Sequence, residues 1–505
     1  MLIRHGMAEA RHLLRLVACF ADAPIPYELL LRPGTIANSL LFTGLTGPRL
    51  WESLQTLEAF GFVDLLPAGD GELGISVLRL HPLVREASRS ASGMDGQADA
   101  YIDLAGALSN AASLQAGEPE SPATWAQWEA LTPHVAYLLA EILDHPGAVE
   151  DVAGAANGAA RYLGARGHYQ EAERLLRQVL VVRERVLGEA HPDSLATRNE
   201  VAWMLGKQGR YEEAEEQYRR VLPTRQKVLG DAHPDTLATR RAVAWMLAER
   251  GRFEEAEKQY RQVLEVSARV LGEAHPATLD TRSAVAWMLA ERGRFEEAEA
   301  LYRKVLTARE QVLGDAHPDT LATRSAVARM LGERCLYEEA EDLYRQILEV
   351  SARVQGETHP HTLATRYGIG RMLEEQGRYE ESEQLYQQVL ATREQVCGPE
   401  HPHTLMTKSR LFRLQALRGR YSEAEDGLRE IAAIQARVIG GSHPATLLSR
   451  HGVAWMIFKQ GRYEEAESEV AAVFSQRAQV LGPQHPQTLQ TQDLLMEVRR
   501  RIGHD

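Results

Sequence analysis

The chain has 505 residues, 44% hydrophobic and 25% charged, enough apolar content to bury a core and enough length for more than one domain or one long array. Its 57 basic residues stand against 70 acidic ones for a net charge of −13, which argues against a nucleic-acid partner because phosphate binding draws on clustered excess Lys and Arg. Cys19, Cys335 and Cys397 are too few and too scattered for a disulfide framework or a zinc cluster, pointing to a reducing, cytoplasmic compartment, and no apolar run approaches the roughly 18 residues of a membrane span.

The first predicted element is a helix around "LVAC" at 16–19. Followed by "FADA", this stretch imitates a cleavage site, but Arg11, His12 and Arg15 interrupt the apolar segment. An amphipathic helix with Leu13, Leu14, Leu16 and Val17 inward is expected instead. Next, "GPRLWESLQTLEAFGFVDLL" reads as a helix and a strand, "GDGEL" as a turn, and "ISVLRLHPLVREAS" as a second strand running into a helix. Helix followed by β-hairpin is the winged-helix pattern, assigned to residues 1–92, with a helical connector over 93–149. A DNA-reading version needs basic residues on the helix before the wing; Arg49 set against Glu52 and Glu58 does not meet that need.

From residue 150 the chain repeats. His-Pro occurs at 191, 233, 275, 317, 359, 401, 443 and 485, always 42 residues apart. In the second unit Leu195, Val201, Ala202 and Leu205 mark one helix, Gly209 breaks it, and Tyr211, Ala214, Tyr218, Val221 and Leu222 mark a second running to Leu229. The proline of each His-Pro is expected at a helix start, where its missing N–H costs nothing. After each inter-helix turn stands an aromatic (Tyr169, Tyr211, Phe253, Phe295, Tyr337, Tyr379, Tyr421, Tyr463), expected to fill the wedge between pairs. Three residues later comes Ala or, at Ser382, Ser, small enough for close helix approach. Cys335-Leu336 replaces Gly-Arg at one turn, which predicts a locally altered bend. Eight units fill 150–486, and "PQTLQTQDLLMEVRRRIG" closes the array as a capping helix in 487–505, with Arg499, Arg500 and Arg501 toward solvent.

These units resemble tetratricopeptide repeats of the 42-residue kind found in kinesin light chains and many bacterial proteins. The resemblance implies an all-α, right-handed α-solenoid of about eight helix pairs plus a capping helix, with the small α+β winged-helix-like domain at its N-terminal side. "LLRLVACFADAPIPYELL", "LRLHPLVREASR" and "SPATWAQWEALTPHVAYLL" resemble the winged-helix and connector segments of actinobacterial NB-ARC-type signalling NTPases of the STAND class. Their Met-His-Asp motif falls on Leu80, His81 and Pro82, so only the histidine is retained, and no G-x-x-x-x-G-K-[S/T] phosphate loop occurs in the sequence. The resemblance thus implies a chain that begins after the NTPase module and, as the rival reading, a separate NTPase chain docked on residues 1–150.

Chemistry-bearing patterns are sparse. The His-Pro histidines are separated by helix layers of about 10 Å and cannot converge on one metal ion needing ligands at about 2 Å. The "EEAE" runs sit three or four residues from Arg and Lys, as Glu215 does from Arg219, and read as a solvated, ion-paired face. The arginines after Thr (Arg198, Arg240, Arg282, Arg324, Arg366) read as stems over apolar surface with heads in solvent. No nucleophile–base or zinc-protease signature is present, so no catalytic residue, metal or cofactor is assigned and no enzyme activity is expected.

One column lies off the apolar stripe: Trp203, Trp245, Trp287, Arg329, Arg371, Arg413 and Trp455, the ninth residue counted from each first helix's leading Leu. In the family that position points into the concave groove, and Trp and Arg are the residue types most enriched at binding hot spots. Asn199, Arg241, Ser283, Ser325, Tyr367, Ser409 and His451 would flank it, with Glu249, Glu291, Glu333 and Glu375 further along. The competing expectation is that these Trp pack on the neighbouring unit, as Met204, Met246, Met288 and Met456 beside them should. The resulting expectation is a protein-interaction scaffold that grips an extended peptide or a helix.

Overall fold

The computed structural model describes residues 8–68, 74–94, 96–142 and 145–503. The expected turn "GDGEL" lies outside the described residues. The chain divides into two compact units, residues 1–201 and 202–505.

The first unit opens with α1 (Ala8–Val17), whose Leu13, Leu14, Leu16 and Val17 are buried as the amphipathic pattern requires. Short helices α2 (Tyr27–Leu30) and α3 (Pro33–Ala37) lead to α4 (Gly47–Ala59), then to strands β1 (Val63–Leu66) and β2 (Val77–Leu80). The strands pair antiparallel from Val63 opposite Leu80 to Leu66 opposite Val77, and β2 runs into α5 (Pro82–Met94). This is helix, hairpin, helix, as the sequence predicts. The connector forms α6 (Ala98–Ala116) and α7 (Trp125–Glu141), which stack on α8 (Val149–Ala165) and α9 (Tyr169–Leu187). Gly158 is required there: a Cβ would lie 2.3 Å from the buried Trp128 ring.

The repeats then alternate without interruption. First helices are α10 (Pro192–Lys207), α12 (Pro234–Glu249), α14 (Pro276–Glu291), α16 (Pro318–Glu333), α18 (Pro360–Glu375), α20 (Pro402–Leu417) and α22 (Pro444–Lys459). Second helices are α11 (Tyr211–Leu229), α13 (Phe253–Val270), α15 (Phe295–Leu313), α17 (Tyr337–Gln355), α19 (Tyr379–Cys397), α21 (Tyr421–Val438) and α23 (Tyr463–Val480), and α24 (Pro486–Ile502) closes the series. Every His-Pro starts a helix, and the histidine itself is the N-cap: in α12 the Asp235 N–H donates to His233 Nδ1 at 3.2 Å. Leu195, Val201, Ala202, Leu205, Tyr211, Ala214, Tyr218 and Val221 are buried, and Leu222 is half-buried. The small residue after each turn is fully buried in all units, and Ser382 satisfies its hydroxyl by donating to the Gly370 carbonyl at 2.8 Å. The turn aromatics fill their wedge only partly, Tyr211 and Phe253 being buried and the others half-buried.

Two expectations fail. The Cys335-Leu336 turn is not altered: Cys335 takes φ 61°, beside 70° at Gly251 and 75° at Gly293, and Leu336 matches the N-cap geometry of Arg294. Packing of the two flanking helices dictates the bend, so the cysteine is forced into the left-handed region. The "EEAE" face is ion-paired but not uniformly solvated. Glu215, at 3% side-chain exposure, takes Arg219 of its own helix and both Arg250 and Arg252 from the next unit. Glu299, Glu341 and Glu425 repeat this clamp with Arg334, Arg378 and Arg462. The cause is the stacking itself, which lays the turn after each first helix over the preceding second helix.

Candidate functional site

Within the second unit three pairs of successive first helices touch directly (α12 with α14, α16 with α18, α22 with α24), while no two successive second helices approach each other as closely. Tighter spacing on one side makes that side the inside of the curve, so the first helices line the inner face. The column singled out in the sequence lies on those helices.

Its upper part is aromatic. Trp203 is 42% exposed, and its ring meets that of Trp245 at 5.0 Å between centroids. Lys207 Nζ stands 4.7 Å over the Trp203 ring, one helical turn on. The Trp245 indole N–H donates to Glu249 Oε1 at 2.9 Å. Burial pushes the Glu249 carboxyl up to about 7, against the lowering effect of hydrogen bonds from Tyr211 and Trp245 and of the Lys207 charge. Trp245 also leans toward Gly206 of the preceding unit, and Trp287 packs half-buried against the central core.

The lower part is a ladder of charges. Arg371 donates to Glu333 at 3.1 Å, and Arg413 reaches Glu374 at 2.9 Å and Glu375 at 3.6 Å. Arg371 and Arg413 thus reach back one unit, as Trp245 does. Trp455 resumes the aromatic pattern, edge-on to Tyr421 and beneath Lys459 Nζ at 5.0 Å. The column therefore works as unit-to-unit packing while leaving part of each side chain open. Met204, Met246, Met288 and Met456 beside it are buried, as expected.

The flanking residues are less uniform. Arg241 pairs with Asp280 at 3.3 Å. The Tyr367 hydroxyl accepts from Arg410 Nε at 3.0 Å, and its ring lies under Arg393. His451 lies beside Thr491, its pKa lowered to about 4 by burial. Asn199 is half-buried on α10 in the first unit. The structure thus gathers Trp203 with Trp245 and the arginines with their glutamates, and engages Arg241, Tyr367 and His451 internally. The arginines after Thr do not end in solvent either; Arg240 pairs with Asp231 and Arg324 with Glu310, at 2.7 and 2.6 Å, and Arg198, Arg282 and Arg366 with Glu184, Glu273 and Glu357.

A second column escaped the sequence reading. Arg225, Arg309, Arg393 and Arg477 are buried near the ends of their helices, and each donates to a Thr of the next first helix (Thr239, Thr323, Thr407, Thr491) at 2.6–2.7 Å. Each also reaches a backbone carbonyl of that helix's first turn. The Arg–Thr spacing of 14 residues was the available signal.

On the first unit, Arg49 of α4 is ion-paired with Glu9 at 2.5 Å, and His81 is the cap of α5, accepting from the Leu83 N–H at 3.3 Å. Among the described residues no three His, Cys, Asp or Glu side chains are grouped to hold a metal, and no helix is long and apolar enough to cross a membrane.

An uninterrupted stack of helix pairs with an inner face of partly open aromatic and charged side chains defines an interaction scaffold of the α-solenoid class. The chain belongs to the tetratricopeptide repeat family, whose patterns match residues 151–227, 205–267, 246–311, 288–353, 319–395, 362–430 and 446–487. No curated protein sequence matches. Among solved structures, a Podosopora anserina protein described as a kinesin light chain with nearly identical TPR-like repeats is 28% identical, covering 41% of this chain and 97% of that one with a TM-score of 0.32. A STAND protein with a tetratricopeptide repeat sensor from Pyrococcus horikoshii is 13% identical, covering 97% and 65%, with a TM-score of 0.45. A Rap protein complexed with competence and sporulation factor is 13% identical, covering 70% and 98%, with a TM-score of 0.42.

Proposed function

We propose that the inner face of the repeat array binds a peptide segment of a partner protein through Trp203, Trp245, Trp287, Arg329, Arg371, Arg413 and Trp455, with Asn199, Arg241, Tyr367 and His451 alongside. The observation that carries this reading is Trp203, a large apolar side chain left 42% exposed on the inner face with its ring set against Trp245. An aromatic pair of this kind offers a ligand broad contact area at little entropic cost. The arginine half supplies planar donors for carboxylates or backbone carbonyls of the same segment.

The test is a pull-down with the wild type and the Trp245→Ala/Trp287→Ala variant, run beside a thermal melt of each. Loss of partners at unchanged melting temperature supports recognition by the column. Retention of the same partners with a lowered melting temperature assigns these side chains to packing alone.

A further inference from the structure

The second unit coils far enough to meet itself. The His443 ring, whose Nδ1 accepts from the Ala445 N–H at 3.0 Å, donates from Nε2 to the Lys207 carbonyl at 3.1 Å, across 236 residues. Pro444 lies against the turn that follows α10, its Cδ 2.8 Å from where a Cβ of Gly209 would stand. The contact recurs one unit later: His485 stacks on Phe253 at 6.3 Å, and a Cβ on Gly251 would lie 3.5 Å from the His485 Cβ and 3.2 Å from the Leu481 carbonyl. The N-terminus of α22 therefore abuts the C-terminus of α10, and that of α24 abuts the C-terminus of α12. Two such contacts in one register mean that the coil completes a turn every six units.

Six units per turn fixes the space inside. Packed helices stand about 8–10 Å apart, and because only some neighbouring first helices touch (α12 with α14, α16 with α18), a circuit of six measures at least roughly 50–60 Å. Subtracting a helix radius of about 5 Å leaves a bore of at least roughly 6–9 Å, the scale of a single polypeptide segment and far below the roughly 30 Å diameter of a small folded domain. We infer that the array is closed in solution by this clasp, and that its inner face takes a single chain segment entering end-on, not a folded domain. This rests on the groove reading above and narrows its ligand to a single segment with a free end.

The clasp can be tested by a disulfide. The Gly251–His485 spacing matches a disulfide's Cβ···Cβ distance of about 3.5–4.5 Å, and Cys335 shows that the corresponding turn of another unit accommodates a cysteine at φ 61°. In a Cys335→Gly background, Gly251→Cys/His485→Cys should form an intramolecular disulfide nearly completely under mild oxidation at neutral pH. Failure to form it in folded protein overturns the closure. If the double variant does not fold, spin labels at the exposed Glu254 and Gln484 decide instead: one narrow distance supports the clasp, and a broad distribution overturns it. The locked protein is then panned against a linear peptide library and the same library cyclised. Linear peptides should be enriched about tenfold or more over cyclic ones. Equal enrichment of both keeps the groove reading and overturns the narrow bore, whereas enrichment of neither overturns the groove reading and this inference with it.

Discussion

At the scale of single residues, Cys335 shows how position overrules residue type. Its left-handed backbone costs a non-glycine residue about 1–2 kcal/mol, part of which glycine returns through its greater chain entropy in the unfolded state. Cys335→Gly should therefore stabilise the protein by about 1 kcal/mol, read from urea unfolding. Glu249 carries a second, pH-dependent cost. Its folded pKa of about 7 exceeds the ordinary 4.5, so the native state holds a proton that the unfolded chain has released. The destabilisation is absent below about pH 4.5, grows between 4.5 and 7, and is complete above 7. Glu249→Gln, which keeps an acceptor for Trp245, should raise the melting temperature at pH 8 and leave it nearly unchanged at pH 4.5. The burial of Val201, Ala202 and Leu205 was legible in their spacing because a helix's inward stripe follows from its period. The environment of Glu249 was not, since it depends on Tyr211 and Lys207 arriving from elsewhere along the chain.

At the scale of elements, every helix boundary in the repeats carries its own punctuation. His-Pro supplies a cap and a first-turn proline, and the residue after each first helix, glycine everywhere but at Cys335, supplies positive φ. What joins one element to the next is less visible. Glu215 receives three guanidinium groups from two units, so its removal leaves cations crowded around an empty site. Glu215→Ala should cost about 3 kcal/mol, as breaking a buried pair does. Arg219→Ala, which removes a half-exposed partner while two remain, should cost under about 1 kcal/mol. Chemical denaturation of the two variants gives the comparison. The spacing of Glu215 to Arg219 by itself predicts a wet face, whereas Arg250 and Arg252 lie a repeat away and meet Glu215 only after stacking.

At the scale of the whole molecule, the second unit's self-contact is its least local feature. His443 is held neutral by burial, its pKa lowered to about 4, with the nearby Lys207 charge acting in the same direction and the bond to the Lys207 carbonyl opposing it. The unfolded chain titrates near 6.5, so its protonation pulls the equilibrium toward unfolding: the stability is fully present above about 6.5 and is lost as pH falls toward 4. His485 behaves in the same way. His443→Asn, which can still cap its helix but is too short to reach Lys207, should lower the melting temperature at pH 7 and flatten its decline between pH 6.5 and 4.5. An unchanged slope would show that the contact contributes nothing to that decline.

The helix-pair architecture, the number of repeats and the helix starts were determined by the sequence itself, because periodicity and capping are local rules that 42-residue repetition states eight times. Only the tertiary structure decided which charges are buried, which tryptophans lean on which neighbours, and that α22 comes to rest against α10. Those outcomes depend on the small rotation between successive units. That rotation is the sum of many packing contacts, and its consequence appears only when six units have accumulated it.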